Sequence, residues 1–440
     1  MGGRLDRLGD RPLPDPGTLV RKLREEYGLP DSDELFRRVK TWAVTGNPQL
    51  EQYIRRCLAS LRKHRDELRF VGDKVPPRDI LARGIPLLAV PSLPNRTLSL
   101  VMFDPDRLTL HTIVVGLPGT GKTTLVRGLL RLLSKLCPWV RIIVFDPNRS
   151  YLDVCTWPDW LAARLLDLCL NPFAPPDRYA LDAWLSETLD VLCLDELKHS
   201  RYLLQCRIDW LFALARSREA RGEPFCYPSL VDLRNNLAAK RERPGSVMER
   251  YREAALNVIE GRVRTCATLY DCARGMEPFL SNTRARIATE GIGNVANMEF
   301  LFSHLIHFVA ARRSLEPLEM PPSLHTLIVL EEAQMLLQPR AEGISFYQNM
   351  MLRMRALGVG ILFVSQDLSR IDPLIVAACG NIFAFAQSSR GNKRAVQATL
   401  DLSPRETGLL GELPPGVVFA RMAGHREWPY PFVAHVPMED

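Results

Sequence analysis

Short apolar runs punctuate this chain at intervals, and the segments between them carry apolar residues at three- and four-residue spacing. Ile113–Val115, Arg141–Phe145 (RIIVF), His325–Leu330 (HTLIVL) and Ile361–Ser365 (ILFVS) are brief and rich in β-branched residues, as buried strands are. Shorter strand-like pieces stand at Leu87–Val90, Leu98–Phe103 and Asn381–Ala386, and alternation returns at Thr283–Glu290 (TRARIATE). Val417–Met422 and Phe432–Val436, bridged by AGHREWPYP, read as a terminal hairpin. Helical spacing predicts helices at Thr18–Tyr27, Asp31–Trp42 and Gln49–Phe70, the last with Leu50, Tyr53, Ile54, Cys57, Leu58 and Leu61 on one face. Further helices are predicted at Leu125–Leu130, Ala180–Cys193, Tyr202–Arg218, Leu230–Arg241, Met248–Cys272, Asn297–Arg313 and Tyr347–Leu357.

Strand, helix and strand over 113–145 make one right-handed βαβ unit, so the sheet is expected to be mainly parallel and flanked by helices. The expected division has four parts: a helical N-terminal segment (1–70), the first part of an α/β core (71–150), an all-helical insertion (151–285), and the second part of the core ending in the hairpin (286–440). In the third part strands disappear and Trp, Leu and Arg recur at helical spacing. There is no internal repeat and no low-complexity linker.

Composition narrows this modestly. The chain has 440 residues, 46% of them apolar, which suffices for real cores in two or three domains. A net charge of +7 is compatible with a polyanionic partner such as DNA, and equally with an arginine excess of no consequence. Residues 1–70 hold 15 basic and 11 acidic side chains, a face that is solvated or docks a partner, with contact to nucleic acid as the alternative. The run Lys240, Arg241, Arg243, Arg250, Arg252, Arg262 and Arg264 is interleaved with Glu242, Glu249, Glu253 and Glu260, and reads as a salt-bridged helix surface. No apolar run approaches the roughly 18 residues of a membrane span, and the N-terminus has no signal-peptide core. The 10 cysteines include no C-x-x-C pair, which points to buried thiols in a reducing cytoplasm.

One stretch carries chemistry outright. Gly116, Leu117, Pro118, Gly119, Thr120, Gly121, Lys122 and Thr123 fill G-x-x-x-x-G-K-[ST] without a mismatch, between a strand and a helix. Glycines let successive N–H groups face phosphates, and the helix N-terminus adds positive charge. Gly116, Pro118, Gly119, Thr120, Gly121, Lys122, Thr123 and Thr124 are the expected nucleoside-triphosphate contacts. Lys122 is expected to bridge the β- and γ-phosphates, and the Thr123 hydroxyl to ligate Mg²⁺.

Phosphate cleavage needs partners, and four apolar residues running into Glu331-Glu332 supply them at a strand's C-terminal end. Glu331 is the expected Mg²⁺ neighbour, and Glu332 the carboxylate that orients and deprotonates the attacking water. Gln366, after the neighbouring strand, is placed to sense the γ-phosphate or hold that water. Arg353, Arg355 and Arg390 are candidates for an arginine finger reaching a neighbouring subunit's nucleotide.

The ordered set now resembles a known family. The phosphate loop at 116–123, FDP at 145–147, LNPF at 170–173, IVLEEAQ at 328–334, RALGVGILFVSQ at 355–366 and LPPGVVFARM at 413–422 follow one another. Together they resemble the HerA/FtsK superfamily of RecA-like P-loop motor ATPases, on the HerA and conjugation-ATPase side, over roughly residues 85–440. The resemblance implies ATP and Mg²⁺ as cofactors, a homo-oligomer in the form of a hexameric ring, and double-stranded DNA threaded through its pore. A nuclease or other effector is an implied partner. Two features depart from the pattern: the first 70 residues do not resemble the β-barrel of HerA proteins, and the metal-side acid is Glu331 rather than Asp. The leading expectation is a DNA translocase. The alternatives are an ATPase energising a conjugation or type IV secretion apparatus, and an ATP-switched ring scaffold that regulates an effector enzyme.

Overall fold

The structure is a computed structural model. It describes residues 13–25, 34–55, 57–58, 84–91, 98–164, 168, 170–193, 195–271, 284–289, 295–318, 322–339, 346–422 and 430–437. Parts of several sequence expectations lie outside these residues: the helix beyond 58, the bridge of the terminal hairpin at 423–429, Cys272, and both ends of the 283–290 strand.

One 11-stranded sheet organises the chain, in the order β2-β1-β11-β10-β9-β3-β8-β7-β4-β6-β5. Its parallel part comprises β3 (Thr112–Val115), β4 (Arg141–Asp146), β5 (Trp160–Arg164), β6 (Arg284–Ala288), β7 (Thr326–Leu330), β8 (Val359–Ser365) and β9 (Asn381–Ala384). Beyond β9 the sheet continues antiparallel through β10 (Val417–Arg421), β11 (Phe432–His435), β1 (Ile85–Pro91) and β2 (Leu98–Phe103). The mainly parallel α/β architecture and the hairpin of β10 and β11 are therefore present as the pattern predicts.

The continuous apolar runs have a direct cause. Ile113, Val115, Ile143, Phe145, Ile328, Leu330, Ile361 and Phe363 face one hydrophobic core. Val114, Ile142, Val144, Leu327, Val329, Leu362 and Val364, at the alternate positions, face a second core on the other side. Strands covered on both faces have no position to spare for polar side chains. The phosphate-loop helix α3 (Lys122–Leu136) packs into the second core through Leu125, Val126, Leu129, Leu130 and Leu133. Two N-terminal helices, α1 (Pro16–Glu25) and α2 (Glu34–Thr45), close a small core of their own, Leu19, Leu23, Leu35 and Val39 with Ile54 and Leu58.

The first core is completed by α4 (Leu181–Leu192), α5 (Arg201–Glu219), α6 (Leu230–Ala239), α7 (Val247–Tyr270), α8 (Val295–Arg313) and α9 (Phe346–Ala356). The expectation of an all-helical stretch over 151–285 needs one correction. Residues 160–164 form β5, the edge strand beside β6. Its five residues are too few for a periodicity signal, and only Trp160 is fully covered. Asn171 of LNPF joins this edge to the helices: its Oδ1 accepts from Phe173 N at 2.9 Å and its Nδ2 donates to Pro228 O at 2.9 Å. Trp184 stacks on His307 at 4.2 Å, and Glu187 receives both His307 at 2.6 Å and Arg353 at 3.3 Å, tying α4 to α8 and α9. Of the interleaved charges, Glu260 pairs with Arg234 at 3.2 Å and Glu253 with Arg252 at 3.6 Å.

The entry to β8 is tightly specified. Gly358 has φ +70°, and a Cβ there would meet the Ser323 carbonyl; a Cβ on Gly360 would lie 2.5 Å from the Leu108 carbonyl. Buried His111, with φ 57°, accepts from Ile361 N at 3.1 Å on Nδ1 and donates from Nε2 to Met351 O at 2.9 Å, and burial pushes its pKa down to about 4. Backbone sits against backbone here. Gly360→Ala is therefore expected to cost roughly 1–3 kcal/mol of stability, read by chemical denaturation, whereas Gly128→Ala on α3, where a Cβ meets nothing within 4 Å, is expected to be neutral or stabilising.

Candidate nucleotide site

Every parallel strand delivers its C-terminal end to the same edge, and the polar residues gather there. In register, Val115 at the end of β3 stands opposite Ser365 of β8 and Ala384 of β9, while Leu330 at the end of β7 stands opposite Phe363 of β8. Strand β8 thus lies between the phosphate-loop strand and the two-carboxylate strand.

The loop itself is anchored by the sheet. Gly116 N donates to Ser365 O at 3.2 Å and Leu117 N to Ala386 O at 3.1 Å. Gly119 and Gly121 have φ +75° and +112°, which β-carbons disfavour. Gly116 has no room for a Cβ, which would fall 2.6 Å from Phe385 Cβ. Thr120 Oγ1 donates to Leu117 O at 2.8 Å, closing the turn. Lys122 leads α3 and curls back: its Nζ donates to Gly116 O at 2.7 Å and Leu117 O at 2.9 Å. Burial lowers its pKa, and the charges of Glu331 and Glu332 work against that, so all three share one electrostatic neighbourhood. Thr123 is half-buried; Pro118, Gly119 and Thr124 are exposed.

The two adjacent glutamates occupy different environments. Glu331 is buried and accepts the Tyr151 hydroxyl. Burial raises its pKa to about 7, with Glu332 and Asp146 adding to the rise, while Tyr151 and Lys122 oppose it. Glu332 takes a left-handed backbone, φ 54° and ψ 39°, which turns its side chain out of the pleat. Its Oε1 accepts from Asn148 Nδ2 at 2.8 Å and Gln366 Nε2 at 2.7 Å, and its Oε2 accepts from Gln334. Gln334 Oε1 in turn accepts Ser365 Oγ at 2.8 Å. Loop, Lys122, Glu331, Glu332 and Gln366 are thereby brought together at one edge.

The arginines are not. Arg355 ends α9, just before β8, so it lies at the opposite end of that strand from Gln366, about 20 Å away at 3.3 Å per residue. It is exposed. Arg353 is engaged by Glu187 and by Tyr179 Oη at 3.2 Å. Arg390 opens α10 (Arg390–Leu400) and is exposed on the site's own side, two residues before Asn392, whose Nδ2 donates to Gln366 O at 3.1 Å.

Sequence reasoning missed the residues that hold the carboxylates. Asn148 and Tyr151 follow FDP, and Gln334 stands two places after Glu332; an amide or hydroxyl within reach of a motif has no signature of its own. Asp146 was legible only as part of FDP. It is fully buried, accepts Ser150 N at 2.7 Å and Tyr151 N at 3.0 Å, and pairs with Arg286 of β6 at 2.7 Å. Among the described residues no group of three or more His, Cys, Asp or Glu is arranged for a metal ion.

The Glu331 carboxyl has a consequence for stability. Its folded pKa near 7 lies above the ordinary 4.5, so the native state holds a proton that the unfolded chain has released, and stability falls as pH rises from about 4.5 through about 7. Glu331→Gln, which keeps an acceptor for Tyr151, is expected to raise the Tm at pH 8 by roughly 2–8 °C and to leave it nearly unchanged at pH 4.5. Equal shifts at both pH values would show that Glu331 is ionised without penalty.

No family model matches the sequence, and no curated protein matches it. Solved structures do match. VirB4 of Thermoanaerobacter pseudethanolicus superposes with a TM-score of 0.61 at 18% identity, over 82% of this chain and 97% of that one. The plasmid coupling protein TrwB, in complex with a non-hydrolysable GTP analogue, gives 0.59 at 15% identity over 83% and 93%. The unbound bacterial conjugative coupling protein TrwB gives 0.57 at 15% over 77% and 87%. The chain has the RecA-like P-loop NTPase fold of these structures.

Proposed function

We propose that this chain is an ATP-hydrolysing motor that works as a homo-oligomeric ring and moves double-stranded DNA. The observation that carries the reading is the convergence of Lys122, Glu331, Glu332 and Gln366 on the edge where the phosphate loop opens. Lys122 is held by two carbonyls that a phosphate oxygen would replace as its partner. Gly119–Thr124 cradle the triphosphate, and Glu332 accepts a proton from the attacking water while Gln366 fixes the carboxylate that does so. TrwB is known with ADP and Mg²⁺ bound. The donors here fit that ion: the Thr123 hydroxyl and the Glu331 carboxyl are hard oxygen ligands at the edge where the phosphate loop opens. Mg²⁺ would supply charge neutralisation on the phosphates.

Exposed Arg355, remote from its own loop, is the finger offered to the next subunit in the ring, and its loss is expected to slow turnover on the order of 10³-fold. A second reading, the ATPase of a conjugation or type IV secretion apparatus, is favoured by the likeness to VirB4 and TrwB. No helix among the described residues is long and apolar enough to cross a membrane, which a peripheral ATPase does not require.

Steady-state ATP hydrolysis with and without linear duplex DNA, at about 50 and 200 mM salt, tests the proposal. Stimulation by DNA that fades with salt is expected. Hydrolysis indifferent to DNA would favour the secretion reading. Lys122→Ala is expected to weaken nucleotide binding at least ~10²-fold, and Glu332→Gln to bind ATP while losing at least ~10²-fold in kcat. Robust turnover by Glu332→Gln would remove it as the base.

A further inference from the structure

We propose that Asn148, on the segment joining β4 to the rest of the core, is a positioning residue that holds Glu332 in its working orientation. The proposal rests on the reading of Glu332 as the base. Its physical basis is that Glu332 is gripped from two sides. Gln366 and Gln334 belong to one side, since Gln334 Oε1 accepts both Ser365 Oγ at 2.8 Å and Gln366 N at 3.4 Å, which makes them a single unit with the end of β8. Asn148 is the sole grip among the described residues that comes from β4, across the carboxylate from that unit. A glutamate has several rotatable bonds beyond its backbone, and Glu332 starts from a left-handed backbone that non-glycine residues disfavour. Without the Asn148 amide, Oε1 keeps one donor and the carboxylate is free to turn toward the two glutamines.

Asn148 can do this because its own segment is rigidly set. The Asp146 carboxylate folds the turn back on itself through Ser150 N and Tyr151 N, and buried Arg286 locks that carboxylate in place from β6. Arg127 of α3 donates to Ser150 O at 2.5 Å and pairs with Asp153 at 3.2 Å, which ties the turn to the helix that opens with Lys122. From the same turn, Tyr151 reaches Glu331. One segment, 146–151, therefore touches both carboxylates and the phosphate-loop helix. Asn148 itself is exposed, so replacing it leaves the fold intact.

Asn148→Ala, Asn148→Gln and Glu332→Gln, each in the full chain, test this by steady-state kinetics and by equilibrium binding of a fluorescent ATP analogue. For Asn148→Ala, kcat is expected to fall roughly 10- to 100-fold while KM, nucleotide affinity and Tm stay within twofold or a degree of the parent. Asn148→Gln, which keeps an amide on an exposed position, is expected to recover at least half of that loss on a logarithmic scale. A purely structural residue would move Tm and KM together and would not be rescued by an amide. Unchanged or increased kcat in Asn148→Ala, beside an inactive Glu332→Gln, would overturn the positioning role and leave the base assignment standing. An active Glu332→Gln would overturn the base assignment, and this role with it.

Discussion

Burial of both faces of the parallel strands is the constraint on which the rest depends. A strand that is covered above and below has little room for a solvated position, so β3, β4, β7 and β8 are apolar between their first and last residues and their polar groups stand at the strand ends. Because the strands are parallel and the crossovers are helices, the functional ends all fall on one edge. The phosphate loop, the glutamate pair and Gln366 meet through topology. The loop is far from the glutamates in sequence, and Gln366 lies 34 residues beyond Glu332, so no local interaction assembles them.

The same constraint explains which parts were legible. Uniform apolar runs ending in a glycine loop, in Glu-Glu or in Ser-Gln mark both the strand and the functional edge. Strand β6 obeyed a different rule. Arg284 and Arg286 alternate with small residues in TRARIATE, as in a strand with one wet face, yet the whole strand is buried. Arg286 is buried because Asp146 meets it, and Arg284 because the Ser134 and Pro138 carbonyls do, at 3.2 and 3.3 Å. A buried cation carries no mark in the sequence, since its partner comes from an element more than a hundred residues away. Strand β5 failed for another reason: an edge strand of five residues with one covered face needs neither a run nor a period, and its place was read as part of the helical stretch.

The glutamate pair shows how two identical side chains acquire different work. Glu331 continues the line of β7 into the core, where burial favours its protonated form, and its partner is a hydroxyl donor, Tyr151. Glu332 leaves that line by a left-handed residue and meets amides, which donate to a carboxylate without offering it a proton. The first is thus held by burial and a hydroxyl, the second oriented by amides. What separates them is one backbone dihedral pair.

The charges at this edge are also paired within the protein. Lys122 spends its donors on the loop's own carbonyls, and Glu332 spends its acceptors on three amides, so neither charge is left bare at the edge. An unpaired ammonium or carboxylate in a half-buried crevice costs more than a paired one. Binding a triphosphate is then an exchange of partners. The gain comes from replacing neutral carbonyls by charged oxygens at Lys122, which strengthens its hydrogen bonds roughly twofold. The grip on Glu332 differs in kind, since its donors come from three elements that the sheet and the Asp146–Arg286 pair already hold in place. On the proposed reading, Lys122 is the partner that exchanges and Glu332 the one that stays, a division of labour suited to in-line attack on a phosphate.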